Sequence, residues 1–238
     1  MTRRLIDLRS DTATRPTPAM REAMTRAEVG DSSLGEDPTV NALQERAASL
    51  FGKEKALFVP SGTMANQIAI KTYTQPGDEI ISDAGCHPLR NELDAAAMIS
   101  GVQFALVPAE RGVFSREAAE AAFRPEGPMN PRTALLWAEN THNAGGGQVF
   151  PLEGLGALHA LARERGIPFH IDGARIFNAA SASGIPPAEW GLRCDSLSFC
   201  LSKGLGCPVG SVLIGSSEFI GRARRFQKML GGVWRQAG

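Results

Sequence analysis

Seven short apolar runs punctuate the chain: "KALFVPSG", "DEIIS", "VQFALVP", "TALLWAEN", "IPFHID", "SLSFCL" and "GSVLIG". Each is long enough for a buried strand and too short for a helix. Most of the intervals between them carry helical patterns. "EDPTVNALQERAASLFG" opens with Asp37 as N-cap and Pro38 at the first helical position, and Gly52 stops it. "TMANQIAIKTY", "SREAAEAAF" and "SEFIGRARRFQKML" read as helices too. "PLEGLGALHALARERG" places Leu152, Leu155, Leu158 and Leu161 on one side and ends at Gly166. "HPLRNELDAAAMISG" reads as one helix closed by Gly101, and "RPEGPMNPR" as a surface loop. Apolar strands spaced by helices predict an α/β fold: three layers, α/β/α, around a mainly parallel central sheet.

Composition narrows the function. The chain has 238 residues, 43% of them hydrophobic and 21% charged, with a formal net charge of +0. A balanced charge gives neither a nucleic acid nor a membrane surface anything to hold, so a small-molecule substrate is the expected partner. No apolar segment approaches the roughly 20 residues of a membrane span. The start, "MTRRLIDLRSD", has no apolar signal core, and a cytoplasmic location is expected. Cys86, Cys194, Cys200 and Cys207 form no C-x-x-C pair and sit among apolar residues, as reduced structural thiols do.

Ligands of an open parallel sheet gather at the carboxyl ends of its strands. Three stretches bring polar residues there. "FVPSGTMAN" runs from a strand into a helix through Ser61, Gly62 and Thr63, a phosphate cup of free N–H groups and hydroxyls that equally well serves as a plain helix cap. "FHIDGAR" ends a strand on Asp172, followed by Gly173 and Arg175. Its carboxylate suits a protonated ring nitrogen, an ion pair with Arg175, or a metal shared with His170; a third metal ligand is not evident, so no metal is expected. "SFCLSKGLGCPVG" puts Lys203, one of five lysines, at the end of an apolar strand before a glycine-rich turn. A lysine in an apolar pocket becomes a nucleophilic amine, unless it reaches solvent past the glycines. Amine, acid and phosphate cup together suit pyridoxal 5′-phosphate, which needs a partner for its aldehyde, its ring nitrogen and its phosphate.

Longer stretches carry a resemblance. "IDLRSDT", "GEDPTVNALQERAASLFGKEKALFVPSGTMANQIA", "AENTHNAGG", "HIDGARIFNAA", "CLSKGLGCPVGSVL" and "RRFQKMLGG" follow one another as in the L-threonine aldolases. These are pyridoxal-phosphate enzymes of the aspartate-aminotransferase-type fold, in the group also called β-eliminating lyases, and the chain resembles them over almost its whole length. The resemblance implies that Lys203 carries the cofactor, Asp172 meets its ring nitrogen, and Gly62 and Thr63, with Ser61, bind its phosphate. It implies that His87 stacks on the ring, that His142 contacts the substrate side chain, and that Ser10 and Arg175 hold the substrate carboxylate. Arg175 thereby lies against the cofactor as well.

The implied reaction is retro-aldol cleavage of L-threonine or L-allo-threonine to glycine and an aldehyde, with His142 or His87 as the base. Leu34, Gly85 and Leu89 stand where the family tends to carry aromatic or polar residues, and predict a larger or drier site that suits a phenylserine. Alternatives are another pyridoxal-phosphate amino-acid lyase, or a cofactor-binding remnant without turnover. The implied organisation is an N-terminal segment, 1–20, and a large cofactor-binding domain, 21–238, without the family's small C-terminal domain. The implied assembly is a homodimer or homotetramer.

Overall fold

The computed structural model describes residues 6–125 and 127–238. Residues 1–5 of the N-terminal segment and Glu126 of the 124–132 loop lie outside the described residues. Among the described residues a 3-10 turn, Asp11–Ala13, comes first, followed by α1 (Pro18–Arg26), α2 (Pro38–Leu50), β1 (Lys55–Val59), α3 (Gly62–Tyr73), β2 (Glu79–Asp83) and α4 (His87–Arg90). A π-helical turn (Ala96–Ser100), β3 (Gln103–Val107), α5 (Arg116–Ala122), β4 (Thr133–Glu139), α6 (Leu152–Glu164) and β5 (Phe169–Asp172) come next. The chain continues through α7 (Ile176–Ser183), α8 (Pro187–Gly191), β6 (Ser196–Cys200), β7 (Ser211–Gly215) and α9 (Ser217–Met229).

The strands form one sheet in the order β1-β7-β6-β5-β4-β2-β3. β7 runs antiparallel to β1 and β6, and the other pairings are parallel. The mainly parallel three-layer architecture expected from the sequence is therefore the observed one. Strand periodicity splits the core in two. Leu136, Phe169, Ile171, Leu197 and Phe199 pack on one face with residues of α2, α6 and α7. Leu135, Trp137 and Leu213 pack on the other with residues of α3 and α9. The same alternation sends Glu139, Asp172 and Ser198 towards the α3 face, the first two at the carboxyl ends of β4 and β5 and the third midway along β6.

The N-cap of α2 is as expected: the Asp37 carboxylate accepts from the Val40 N–H at 3.0 Å. The single helix read over 87–101 is not formed. Leu93 and Asp94 adopt φ of 52° and 56°, and this left-handed pair stops α4 and separates it from the π-helical turn. The break positions Glu92 beneath α3. No helix among the described residues is long and apolar enough to cross a membrane.

Candidate active site

Helix α3 supplies the first two layers of the site. Its N-cap, Ser61, accepts from the Met64 N–H at 3.2 Å, which leaves the N–H groups of Gly62 and Thr63 at the exposed helix start. A Cβ on Gly62 would lie 2.8 Å from the Cys200 sulfur, so glycine is required for α3 to start this close to the end of β6. One turn further on, Asn66 and Gln67 are buried, and their amides face carboxylates.

Those carboxylates form a connected group. Asn66 Nδ2 donates to Asp172 Oδ2 and to Glu92 Oε1, both at 2.8 Å. Gln67 Nε2 donates to the other Glu92 oxygen at 2.7 Å, and the Ala174 N–H donates to Asp172 Oδ1 at 3.0 Å. Glu92 Oε1 also lies 2.7 Å from His87 Nδ1. This contact outweighs burial and raises the His87 pKa, with Asp172 and Glu139 adding to it. Glu139 pairs across the β4–β5 register with Asp172 and accepts from the N–H groups of His87 and Asn143, at 2.9 and 2.7 Å. Burial, and then the charge of Asp172, push the Glu139 carboxyl up to about 7.

Lys203 follows β6 at the same edge, half-buried rather than enclosed in an apolar pocket. Its ammonium group helps lower the pKa of Asp11, which is 192 residues away in sequence, so spacing gave no sign of the pair. Thr14 donates its hydroxyl to the Lys203 carbonyl at 2.7 Å and ties the N-terminal segment over the turn. Arg175 does not pair with Asp172. Its Nε and Nη2 donate to the two oxygens of Asp11, each at 2.8 Å. Ser10, Asp11, Asn143, Arg175 and Asn178 line a cleft of about 540 Å³. Ser10 and Arg175 thus line the same cleft. His170 turns into the core: Nδ1 is 2.7 Å from Ser196 Oγ, the ring stacks on Trp137, and burial pushes its pKa down to about 3.

Comparison with known proteins identifies the family. The family model for beta-eliminating lyases matches residues 7–238. The chain belongs to the beta-eliminating lyase family. It is 46% identical over 235 residues to the low specificity L-threonine aldolase of Escherichia coli, covering 98% of this chain and 70% of that one. It is 47% identical over 242 residues to low-specificity L-threonine aldolase 1 of Arabidopsis thaliana, covering all of this chain and 68% of that one. The solved threonine aldolase of Leishmania major superposes with a TM-score of 0.84 at 21% identity, over 95% of this chain and 67% of that one, and shares the fold. The chain spans about two thirds of the length of these relatives.

Within this beta-eliminating lyase fold the second histidine is differently placed from the first. His142 is 2% exposed, and both ring nitrogens are engaged: Nε2 with Asp83 Oδ2 at 3.1 Å, and Nδ1 with the Gly145 N–H at 2.9 Å. Burial opposes a charge on this ring, but Asp83, Glu139 and Asp172 outweigh it and raise the pKa. The space expected from Gly85 is already filled, since a Cβ there would meet the His142 ring and Asp83 Oδ2 at 2.9 Å. Leu89 packs towards the α3-side core, and Leu34 is 72% exposed. Asn66, Glu92 and Glu139 belong to no motif of the sequence that marks them as site residues. Asn66 and Glu92 face each other across 26 residues, a juxtaposition made by the break at Leu93.

Proposed function

We propose that the chain is the cofactor- and substrate-binding part of a pyridoxal-phosphate-dependent aldolase. It cleaves L-threonine, L-allo-threonine and related β-hydroxy-α-amino acids to glycine and an aldehyde. The observation that supports this most directly is the convergence of Lys203, Asp172 and the open N-terminus of α3 on one edge of the sheet, with His87 beside them.

These residues fit the cofactor. The Gly62 and Thr63 N–H groups and the Ser61 and Thr63 hydroxyls would hold its phosphate. Asp172, fixed by Asn66 and the Ala174 N–H, would meet the ring nitrogen, and the Lys203 amine the aldehyde carbon. Pyridoxal phosphate supplies, when bound, an electron sink for the charge left at the substrate Cα.

The protein's own groups do the rest. Arg175 gives two of its five donors to Asp11 and keeps three for the substrate carboxylate, so the ion pair aims the guanidinium rather than consuming it. The Ser10 hydroxyl lines the same cleft. His87 Nδ1 faces Glu92, while its Nε2 has no hydrogen-bond partner among the described residues and accepts the β-hydroxyl proton. As that proton leaves, the Cα–Cβ bond breaks and the aldehyde carbonyl forms. His142, with both nitrogens engaged, shapes the neighbouring loop.

The family reading adds a homodimer or homotetramer in the cytoplasm, and residues 21–238 as the large domain. Exposed Leu8, Leu93 and Met98 offer apolar surface for assembly. Incubating the protein with the cofactor and L-threonine should yield equal amounts of glycine and acetaldehyde. A 2-oxo acid with ammonia would instead identify an elimination, and a yellow protein without product a binding remnant.

A further inference from the structure

We propose that Glu92 is a positioning residue for His87: it holds the Nδ1–H, so that Nε2 is the nitrogen presented to the substrate's β-hydroxyl. This deepens the aldolase reading and rests on it.

Three observations carry the assignment. The Glu92 side chain is fully buried, and three donors converge on its two oxygens: His87 Nδ1, Asn66 Nδ2 and Gln67 Nε2. An acid surrounded in this way acts only as an acceptor, so the ring nitrogen facing it carries the hydrogen. The opposite tautomer would aim a lone pair at a carboxylate. Second, the acid cannot swing away. Asn66 and Gln67 are fixed on α3, whose N-terminus is the phosphate cup, and Ser198 Oγ lies 3.4 Å from Asn66 Oδ1 and holds the amide with its NH₂ towards the acids. Third, Asn66 gives its two hydrogens to Glu92 and Asp172. One amide therefore ties the acid behind His87 to the acid for the cofactor's ring nitrogen. The charged groups around His87 are Glu92 from the broken helix, Glu139 at the end of β4 and Asp172 at the end of β5. Of the three, Glu92 alone touches the ring.

Glu92→Gln keeps the shape but turns an NH₂ group towards one of these donors. The imidazole C–H resonances of the four histidines, with His87 assigned by its loss in His87→Asn, read the effect in the purified protein without turnover. The expected result is a His87 titration midpoint at lower pH and a ¹⁵N pattern that changes from the Nδ1–H form to a mixture. An unchanged midpoint and pattern would overturn the proposal. If the Gln variant does not fold, Glu92→Asp keeps the charge at a longer reach and should move the midpoint in the same direction. An unmoved midpoint there overturns the proposal equally.

With L-threonine, Glu92→Gln should lose about tenfold to a hundredfold in kcat, keep KM within about twofold, and move the acid limb of the kcat profile to lower pH. Added to His87→Asn it should cost nothing more; losses that multiply would contradict a shared role. If the wild-type protein cleaves no threonine, the aldolase reading fails, while the titration still decides whether Glu92 sets the state of His87.

Discussion

Two concavities of the molecule contain similar residues and use them differently. The groove between α2, β1 and α9, about 380 Å³, is lined by Gln44, Glu54, Lys55, Arg224, Gln227 and Trp234 among others. Its polar side chains close the backbone. Gln44 accepts from the Phe58 N–H at 3.0 Å, and Gln227 donates to the Phe58 carbonyl at 2.7 Å, so the edge strand β1 is capped on its open side. Glu54 accepts from the Ser217 N–H, and Arg224 donates to the carbonyls of Ser32 and Ser33. At the carboxyl edge of the sheet, acids, amides and imidazoles bond chiefly to one another. Glu92, Glu139 and Asp172 are gathered there despite their mutual repulsion, as acids are at many functional sites. Size does not distinguish the two places; the partners of the polar groups do.

The two regions differ most at Lys203. Lys203→Ala should lower threonine cleavage by about 10⁴-fold or more, measured as acetaldehyde released, with the thermal midpoint nearly unchanged. Asp11→Asn leaves Arg175 without its charged anchor. KM for threonine should rise by about tenfold with a smaller change in kcat, as read from initial rates.

Glu139 tests the cost of gathering acids. Folding raises its pKa from 4.5 to about 7, so the folded protein keeps a proton there that the unfolded chain gives up. Stability therefore falls as pH rises across that window. Glu139→Gln has no such proton. Its thermal midpoint should gain on the wild type between about pH 5 and pH 8, by the equivalent of about 3 kcal/mol at most. A constant difference across the range would contradict the raised pKa.

The smallest effect belongs to the groove. Gln44→Leu orphans the Phe58 N–H and should cost about 1 kcal/mol in denaturant unfolding, with kcat unaltered. A loss of turnover there would erase the distinction between the two regions.

The fold was legible because each strand is a compact apolar run and its alternation survives in the sheet. Leu135 and Trp137 face one core, Leu136 and Ala138 the other. Lys203, Asp172 and the Ser61–Thr63 turn were legible because strand ends in such a sheet have one destination. The acid network was not. Glu92 lies within what periodicity reads as a continuous helix, and positive φ at Leu93 and Asp94, a conformation that leucine seldom adopts, directs it towards Asn66. Asp11 was missed as the partner of Arg175 because the two are 164 residues apart, whereas Asp172 is three away.

Lys203 is the one lysine of the five proposed here to carry the cofactor. Borohydride reduction of the protein with pyridoxal phosphate, followed by peptide mass mapping, tests it directly. The pyridoxyl group should be found on Lys203 and be lost in Lys203→Ala. A label on Lys53, Lys55, Lys71 or Lys228 instead, or no label at all, would contradict the account.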